Sequence, residues 1–347
     1  MHGLSRREWL TIAGMAGVIL FLNILGWGVL TVFVASQIGL GVTAFTLGMR
    51  HAFDVDHIAA IDNTTRKLIA EGRRPLSVGF WFSLGHSTVV FGLCLMLSLG
   101  VRTLTGQIEA DSSGLHRVAG LIGSSVSGVF LCLIGLVNLV MLVGIVKIFR
   151  AMRSGGFDEA ELEARLDSRG FLNRLLGRVA GAVRRPWHTY PLGLLFGLGF
   201  DTATEIGLLV LAGGAAASAL PWYAILVLPL LFAAGMTLFD AADGCFMNFA
   251  YGWALARPVR KIFYNLTVTA LSVLVALVIG LVELVSVLAV ELHVRSGPLA
   301  VVANLDLNQL GFVLVGLFVV TFVIAVLVWR FGGIEEKYSS ALDTPPA

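Results

Sequence analysis

The sequence predicts an all-α protein that crosses a membrane about eight times. Of its 347 residues, 57% are hydrophobic and only 13% are charged, and the mean hydropathy is +0.88. Soluble domains carry about 25% charged residues, so this chain has too few charges to cover a soluble globule of its size. The composition therefore excludes a soluble enzyme, a disordered protein and a nucleic-acid-binding protein.

Eight apolar segments are long enough to cross a bilayer, which takes about 20 residues in a helix. Backbone N–H and C=O groups in lipid must bond within the protein, so each segment is predicted to be a helix. The predicted spans 1 to 8 cover residues 9–35, 39–61, 75–100, 117–146, 191–213, 219–245, 262–290 and 310–330.

The N-terminus is predicted to be an uncleaved first span. Arg6 and Arg7 precede an apolar stretch in the manner of a twin-arginine export signal. The apolar region of a signal peptide covers only about 7–15 residues, whereas residues 9–35 can cross the membrane, and no small-residue cleavage motif follows them.

The distribution of lysine and arginine predicts that both termini are cytoplasmic. With the N-terminus inside, 20 of the 24 basic residues fall in inner segments and only Arg102, Arg117 and Arg295 in outer ones; Arg50 lies within a span. Cytoplasmic loops of membrane proteins carry such an excess of basic residues. An even number of spans places both termini on the same side of the membrane, in agreement with this distribution of basic residues.

A long central loop divides the chain into two halves. Part of the loop, around residues 157–166, has the pattern of an amphipathic helix with acidic residues early and a basic residue late. The predicted units are a first transmembrane half, a cytoplasmic linker, a second transmembrane half and a cytoplasmic tail, at residues 1–147, 148–190, 191–331 and 332–347.

Two short sequence matches suggest that the halves form an inverted repeat. Phe82-Ser-Leu-Gly85-His86 in span 3 matches Phe232-Ala-Ala-Gly235-Met236 in span 6, and Phe53-Asp54 in span 2 matches Phe200-Asp201 in span 5. Chance similarity between glycine-rich helices is the alternative. Transporters built from inverted repeats hold their substrate near the middle of the membrane.

Ionisable residues inside the predicted spans are the main functional signal. Each charged group costs about 2.5–3.5 kcal/mol at the centre of a membrane helix, yet the spans hold eight carboxylates against one arginine, Arg50. A cation must offset this charge, or many of the carboxylates must be protonated. The residues are His51, Asp54, Asp56, His57 and Asp62 in span 2, His86 in span 3, Asp201 and Glu205 in span 5, Asp240 and Asp243 in span 6, and Glu283 in span 7.

Imidazole and carboxylate groups together suit divalent first-row metals such as nickel, cobalt and zinc. If span 2 is a regular helix, His51, Asp54 and His57 share one face and Asp56 serves a neighbour. If span 2 unwinds near Phe53, both histidines and Asp56 can converge on one ion. His51, Asp54, Asp56 and His57 are the predicted metal ligands.

The other intramembrane groups are predicted to support these ligands or to receive the ion next. His86 and Asp201 lie near the middle of their spans, at the level of His51. Asp240 and Asp243 are placed deeper, as an exit step. A simple helix–helix hydrogen bond is the alternative role for His86, and local bonding to neighbouring threonines is the alternative for Asp201 and Glu205. The three cysteines lie far apart in apolar runs and are expected to be packing residues.

Four motifs in order resemble the nickel/cobalt transporter family, NiCoT. They begin with Arg50-His-Ala-Phe-Asp-Val-Asp-His-Ile58, which contains the H-x4-D-H core, and continue with Phe82-Ser-Leu-Gly-His86, Leu198-Gly-Phe-Asp-Thr-Ala-Thr-Glu205 and Gly235-Met-Thr-Leu-Phe-Asp-Ala-Ala-Asp-Gly244. The resemblance implies eight spans and high-affinity uptake of Ni²⁺ or Co²⁺ across a bacterial inner membrane. It also implies that His51, Asp56 and His57 are essential for metal handling. Two positions differ from the usual family motif: Val55 replaces a common alanine, and Ala241 replaces a common threonine.

The expected protein is a secondary transporter without a bound cofactor. The chain has no phosphate-binding loop for ATP, so an ATPase subunit is not expected, and Ni²⁺ or Co²⁺ and the lipid bilayer are its expected partners. Export by the same family is the first alternative, although the histidine-rich loop of some exporters is absent. An intramembrane protease and an accessory protein for metalloenzyme maturation are the others. Phe53 and Asn23 are expected to tune the choice of metal, and the oligomeric state is not predicted.

Overall fold

Ten α-helices and one 3₁₀ turn make up the regular structure of the part of the chain that the computed structural model describes. The described residues are 4–33, 38–98, 114–153, 183–198, 225–254, 258–294, 296–303, 305 and 310–331. The helices are α1 (Arg6–Phe33), α2 (Ile38–His51), α3 (Val55–Ala70), α4 (Val78–Ser98), α5 (Gly114–Arg153), α6 (Thr189–Phe196), α7 (Val227–Ala254), α8 (Pro258–Glu291), α9 (Pro298–Ala303) and α10 (Leu310–Phe331), with the 3₁₀ turn at Pro186–His188.

The all-α membrane class is confirmed. Within the described residues, five helical stretches are long and apolar enough to cross a membrane: Arg6–Val32, Val78–Met96, Leu121–Gly144, Val227–Tyr251 and Thr269–Glu291. A shorter apolar stretch, Gly311–Thr321, lies in α10. Large apolar side chains on α1, such as Leu20 and Ile24, are exposed, as expected for a surface that faces lipid. The total of eight spans and the cytoplasmic termini stay predictions.

The predicted second span is broken at Ala52–Asp54 into α2 and α3. Asp54 has an extended conformation at the N-cap of α3 (φ −66°, ψ 143°), a position that aspartate favours. The amides of Phe53 and Asp54 bond to the carbonyl oxygens of Arg50 and His51, at 3.0 and 2.8 Å, and so close the end of α2. The structure thus selects the unwound form of span 2 over the regular helix.

Helix α7 ends nine residues later than the sixth predicted span. The prediction ended the span at Cys245, shortly after two aspartates, but the helix continues to Ala254 through residues such as Met247 and Tyr251, which are buried. Asp240 consequently lies in the middle of α7 and not near its end, and its place in an exit step stays a prediction.

Glycines allow α2 and α7 to cross in close contact. A Cβ atom on Gly48 would collide with the carbonyl oxygen of Phe232, and a Cβ on Gly235 would collide with that of Phe45. Each glycine thus receives the backbone of the opposite helix, and neither position has room for a side chain.

The crossing of α4 with α6 has the same construction. A Cβ on Gly193 would collide with the carbonyl oxygen of Phe82, and a Cβ on Gly85 would collide with that of Tyr190. Phe82 and Gly85 are the residues that the sequence matched to Phe232 and Gly235. The two reciprocal crossings therefore support the inverted repeat, with spans 2 and 6 paired in one crossing and spans 5 and 3 in the other.

The last residues of the predicted linker are held against the ends of α3 and α4. Lys67 donates from Nζ to the carbonyl oxygen of Val183 at 2.7 Å. Thr189 donates from Oγ1 to the carbonyl oxygen of Val78 at 2.9 Å. These bonds connect the end of the linker to both helices. Most of the predicted linker, residues 154–182, lies outside the described residues.

Candidate metal centre

Three histidines from three helical segments meet beside the break in span 2. His51 is the last residue of α2, His57 lies in the first turn of α3 and His86 lies in α4. Their ring centroids form a triangle with sides of 4.6, 4.6 and 4.8 Å, and the three residues are 1%, 0% and 3% exposed. One nitrogen from each ring lies within 4.8 Å of the others, so the cluster can hold a metal ion.

The spacing of His51 and His86 suits two ligands at right angles. Their Nε2 atoms are 3.0 Å apart. Two imidazole nitrogens that each lie about 2.1 Å from one ion are about 3.0 Å apart at 90° and about 3.4 Å apart at the tetrahedral angle. A hydrogen bond gives the same 3.0 Å spacing, with the proton on one Nε2 atom.

Asp54 lies against the other nitrogen of His51. Its Oδ2 is 2.8 Å from Nδ1 of His51, and its carboxylate makes no cap hydrogen bond to α3 although Asp54 occupies the N-cap. A carboxylate next to Nδ1 favours the proton on that nitrogen and leaves Nε2 for the metal. Arg50, at the end of α2, interacts electrostatically with Asp54 and partly offsets its charge.

Asp240 of α7 lies against Nδ1 of His57, and this contact is a hydrogen bond, whereas Oδ2 of Asp54 has no hydrogen-bond partner among the described residues. Oδ2 of Asp240 accepts a hydrogen bond from Nδ1 of His57 at 3.2 Å, and both side chains are fully buried. Nε2 of His57 has no hydrogen-bond partner among the described residues. With the proton held at Nδ1, the lone pair of Nε2 is available to an ion.

Two phenylalanines from matching positions enclose the rings. Phe82 meets His57 edge-on, with centroids 4.8 Å apart, and Phe232 lies 5.6 Å from His51. Phe82 and Phe232 are among the largest fully buried side chains. They exclude water from the histidines, which strengthens the attraction between the carboxylates and a cation.

The other predicted residues lie at different distances from this cluster. Asp56 is half-buried and accepts a bond from the backbone amide of His57 at 2.9 Å. Asn23 donates to the carbonyl oxygen of Ile19 in its own helix at 2.9 Å. Asp243 interacts electrostatically with Asp62 and Asp240. Asp201 and Glu205 lie outside the described residues.

A second polar group lies further along α3. Tyr251 donates to Oδ1 of Asp62, and its hydroxyl is 3.3 Å from that of Ser272. The Arg66 guanidinium lies over the ring of Tyr251, 5.7 Å from its centroid. The sequence analysis did not single out Tyr251, because a lone tyrosine near the end of an apolar helix is typical of a membrane interface.

Comparisons with known proteins point to metal transport. Residues 37–328 match the family model NicO, described as high-affinity nickel-transport protein. The chain is 57% identical to the nickel transporter NicT of Mycobacterium tuberculosis, over 99% of this chain and 95% of NicT. It is 44% identical to the nickel transporter NixA of Staphylococcus aureus, over 96% and 98% of the two chains. It is 39% identical to the cobalt transport protein NhlF of Rhodococcus rhodochrous, over 93% of each. No solved structure matches the chain.

Proposed function

The chain belongs to the NicO family of high-affinity nickel-transport proteins, and on that premise we propose that it is a secondary transporter for uptake of Ni²⁺ or Co²⁺ across the bacterial inner membrane. The observation that carries the proposal is the buried triangle of His51, His57 and His86. Two of its members lie against buried carboxylates. Buried histidines and carboxylates are costly inside a membrane, and binding of a cation gives this cluster a function.

In this mechanism the histidines replace the water molecules of the arriving ion. His51, His57 and His86 each offer Nε2, while Asp54 and Asp240 hold the first two rings and supply negative charge. Imidazole ligands favour nickel and cobalt over Mg²⁺ and Ca²⁺, which prefer oxygen. Asp56, at the first turn of α3, adds a carboxylate beside His57.

The broken span 2 is the element that would move. Its two halves end and begin at the site, so a small rotation of α3 relative to α2 changes the spacing between His51 and His57. Close glycine crossings hold α2 against α7 and α4 against α6. Rigid pairs on either side of a shared site are the parts that alternating access requires.

Uptake is the direction that we propose. A divalent cation that moves to the negative interior gains about 4.6 kcal/mol per 100 mV of membrane potential. Transport therefore needs neither ATP nor an ATPase subunit, and we infer neither a bound cofactor nor a catalytic role. Asp201 and Glu205 are proposed to extend the site from span 5.

Uptake of radiolabelled nickel by proteoliposomes tests the proposal. We expect saturable uptake by the unaltered chain and its loss, by at least tenfold, in His57→Asn. His293→Asn is the matched control, since His293 is exposed, outside the cluster and at positive φ, which asparagine tolerates. Uptake by His57→Asn at the rate of the control would refute the proposal, provided that both variants elute as folded monodisperse protein. Competition by unlabelled Ni²⁺, Co²⁺ and Zn²⁺ then ranks the substrates.

A further inference from the structure

Arg66 is a buried cation that has no hydrogen-bonded partner in the described part of the chain. It lies in α3, nine residues after His57, and is 3% exposed. None of its three guanidinium nitrogens has a hydrogen-bond partner among the residues that the structure describes. Its guanidinium lies over the face of the Tyr251 ring. It also interacts electrostatically with Asp62. A buried guanidinium without hydrogen bonds has a high cost in desolvation free energy, because buried charges are normally paired and hydrogen-bonded.

Two carboxylates near Arg66 and the histidines have an oxygen without a hydrogen-bond partner among the described residues. Asp62 is 1% exposed, and its Oδ1 accepts the bond from Tyr251 while its Oδ2 is unbonded. Oδ2 of Asp243 is the second such oxygen. Asp243 interacts electrostatically with both Asp62 and Asp240, and Asp240 is bonded to His57.

Among the described residues, Arg66 is hydrogen-bonded to neither carboxylate, of which Asp62 is buried and Asp243 is half-buried. An excess of negative charge beside a metal-binding cluster attracts the ion that the cluster releases. The guanidinium of Arg66 attracts the carboxylate of Asp62 as well, since arginine binds carboxylates in bidentate geometry.

We propose that Asp62 and Asp243 form a second, weaker site for the transported divalent cation, and that Arg66 is a tethered cation that competes with the ion for these carboxylates. This inference rests on the proposed function and concerns release rather than recognition. The ion passes from three imidazoles to two carboxylates, and Arg66 then displaces it by pairing with Asp62.

The ligand chemistry supports a descending affinity. Nickel binds imidazole more strongly than carboxylate, and a site made of carboxylate, tyrosine hydroxyl and water resembles one for Mg²⁺ or Mn²⁺. Weak binding at the two carboxylates, next to selective binding at the histidines, allows the ion to be released from the protein. The tethered guanidinium restores neutrality after release, so the empty carboxylates need no second ion.

Equilibrium dialysis of the purified full chain against Ni²⁺ tests the competition. In a Ni²⁺ titration that extends to about a thousand times the dissociation constant of the unaltered chain, we expect one ion per chain in the unaltered protein and a second, more weakly bound ion in Arg66→Met. The double variant Asp62→Asn with Arg66→Met should return to one. Arg185→Met is the control, because Arg185 is exposed, and should bind one ion. A single ion in Arg66→Met, or a second ion that persists in the double variant, would overturn the inference.

A second measurement covers the case in which Arg66→Met does not fold. Asp62→Asn keeps an oxygen for the Tyr251 hydroxyl, and in proteoliposomes its maximal uptake rate should fall at least fivefold while its dissociation constant for Ni²⁺ stays within twofold. An unchanged maximal rate, or a loss of affinity instead, would contradict the second site. Failure of the proposed function is distinct, because it would appear as nickel uptake by His57→Asn.

Discussion

Asp240 holds His57 through a buried hydrogen bond of 3.2 Å, although the two residues lie 183 positions apart in the chain. The bond joins the middle of α7 to the first turn of α3. It fixes which nitrogen of His57 carries the proton and thereby presents Nε2 to the cluster. The carboxylate also places negative charge next to an incoming cation. Asp240 thus contributes to metal binding through the histidine that it orients.

Replacing Asp240 by asparagine tests this positioning role. Asparagine keeps the size of the side chain but removes the charge, and it can present an N–H to Nδ1 and so favour the wrong tautomer. Loss of such a partner costs about 10–100-fold in metal affinity, and we expect a rise of that size in the dissociation constant for Ni²⁺, measured by dialysis. Asp240→Glu should recover part of the affinity. Equal affinity in Asp240→Asn and the unaltered chain would contradict the role.

The glycine crossings predict a specific pattern of destabilisation. In Gly85→Ala the new methyl group meets the backbone of Tyr190, which cannot move aside, and overpacking of this kind costs about 1–3 kcal/mol or more. Gly92→Ala in the same helix is the matched control, since no atom lies within 4 Å of its Cβ position. We expect a lower midpoint of thermal unfolding in detergent for Gly85→Ala and an unchanged or higher one for Gly92→Ala. Equal midpoints would show that the helices can separate at this point.

Much of the site could be predicted from the cost of charge in lipid. His51, Asp54, His57 and His86 stand out because nothing in an apolar helix explains them, and counting residues from the ends of spans 2 and 3 places His51 and His86 at one depth. The structure brings their Nε2 atoms to 3.0 Å. The break at Phe53 was one of two possibilities, because a helix and an unwound segment have the same local sequence until a neighbouring helix packs against them.

The partners of the histidines could not be predicted in the same way. The predicted end of span 6 lies nine residues before the end of α7, so the sequence did not place Asp240 against His57. The register of α7 is set by the fit of Gly235 against Phe45, which is a property of two helices. Likewise, the bond from Tyr251 to Asp62 follows from the way α7 packs against α3. Tertiary packing of this kind leaves no periodic signal in either segment.

Helix α10 is expected to control the break in span 2. A Cβ on Gly311 would collide with the carbonyl oxygen of Phe53, and the rings of Phe312 and Phe53 stack with centroids 4.8 Å apart. Gly311→Ala must therefore displace the segment between His51 and His57. We expect at least a tenfold loss of Ni²⁺ affinity by dialysis, and no loss for Gly316→Ala, whose Cβ position has open space. Normal affinity in Gly311→Ala would mean that the break is held without α10.

Acid is expected to weaken nickel uptake. A histidine binds a metal only in its neutral form. Protons therefore compete with Ni²⁺ for the three rings, and the competition grows as the pH falls. We expect the KM for Ni²⁺ in proteoliposomes, with equal pH inside and outside, to rise as the pH is lowered from 7.5 to 5.5. A KM that stays constant or falls over this range would exclude the imidazoles as the groups that receive the ion.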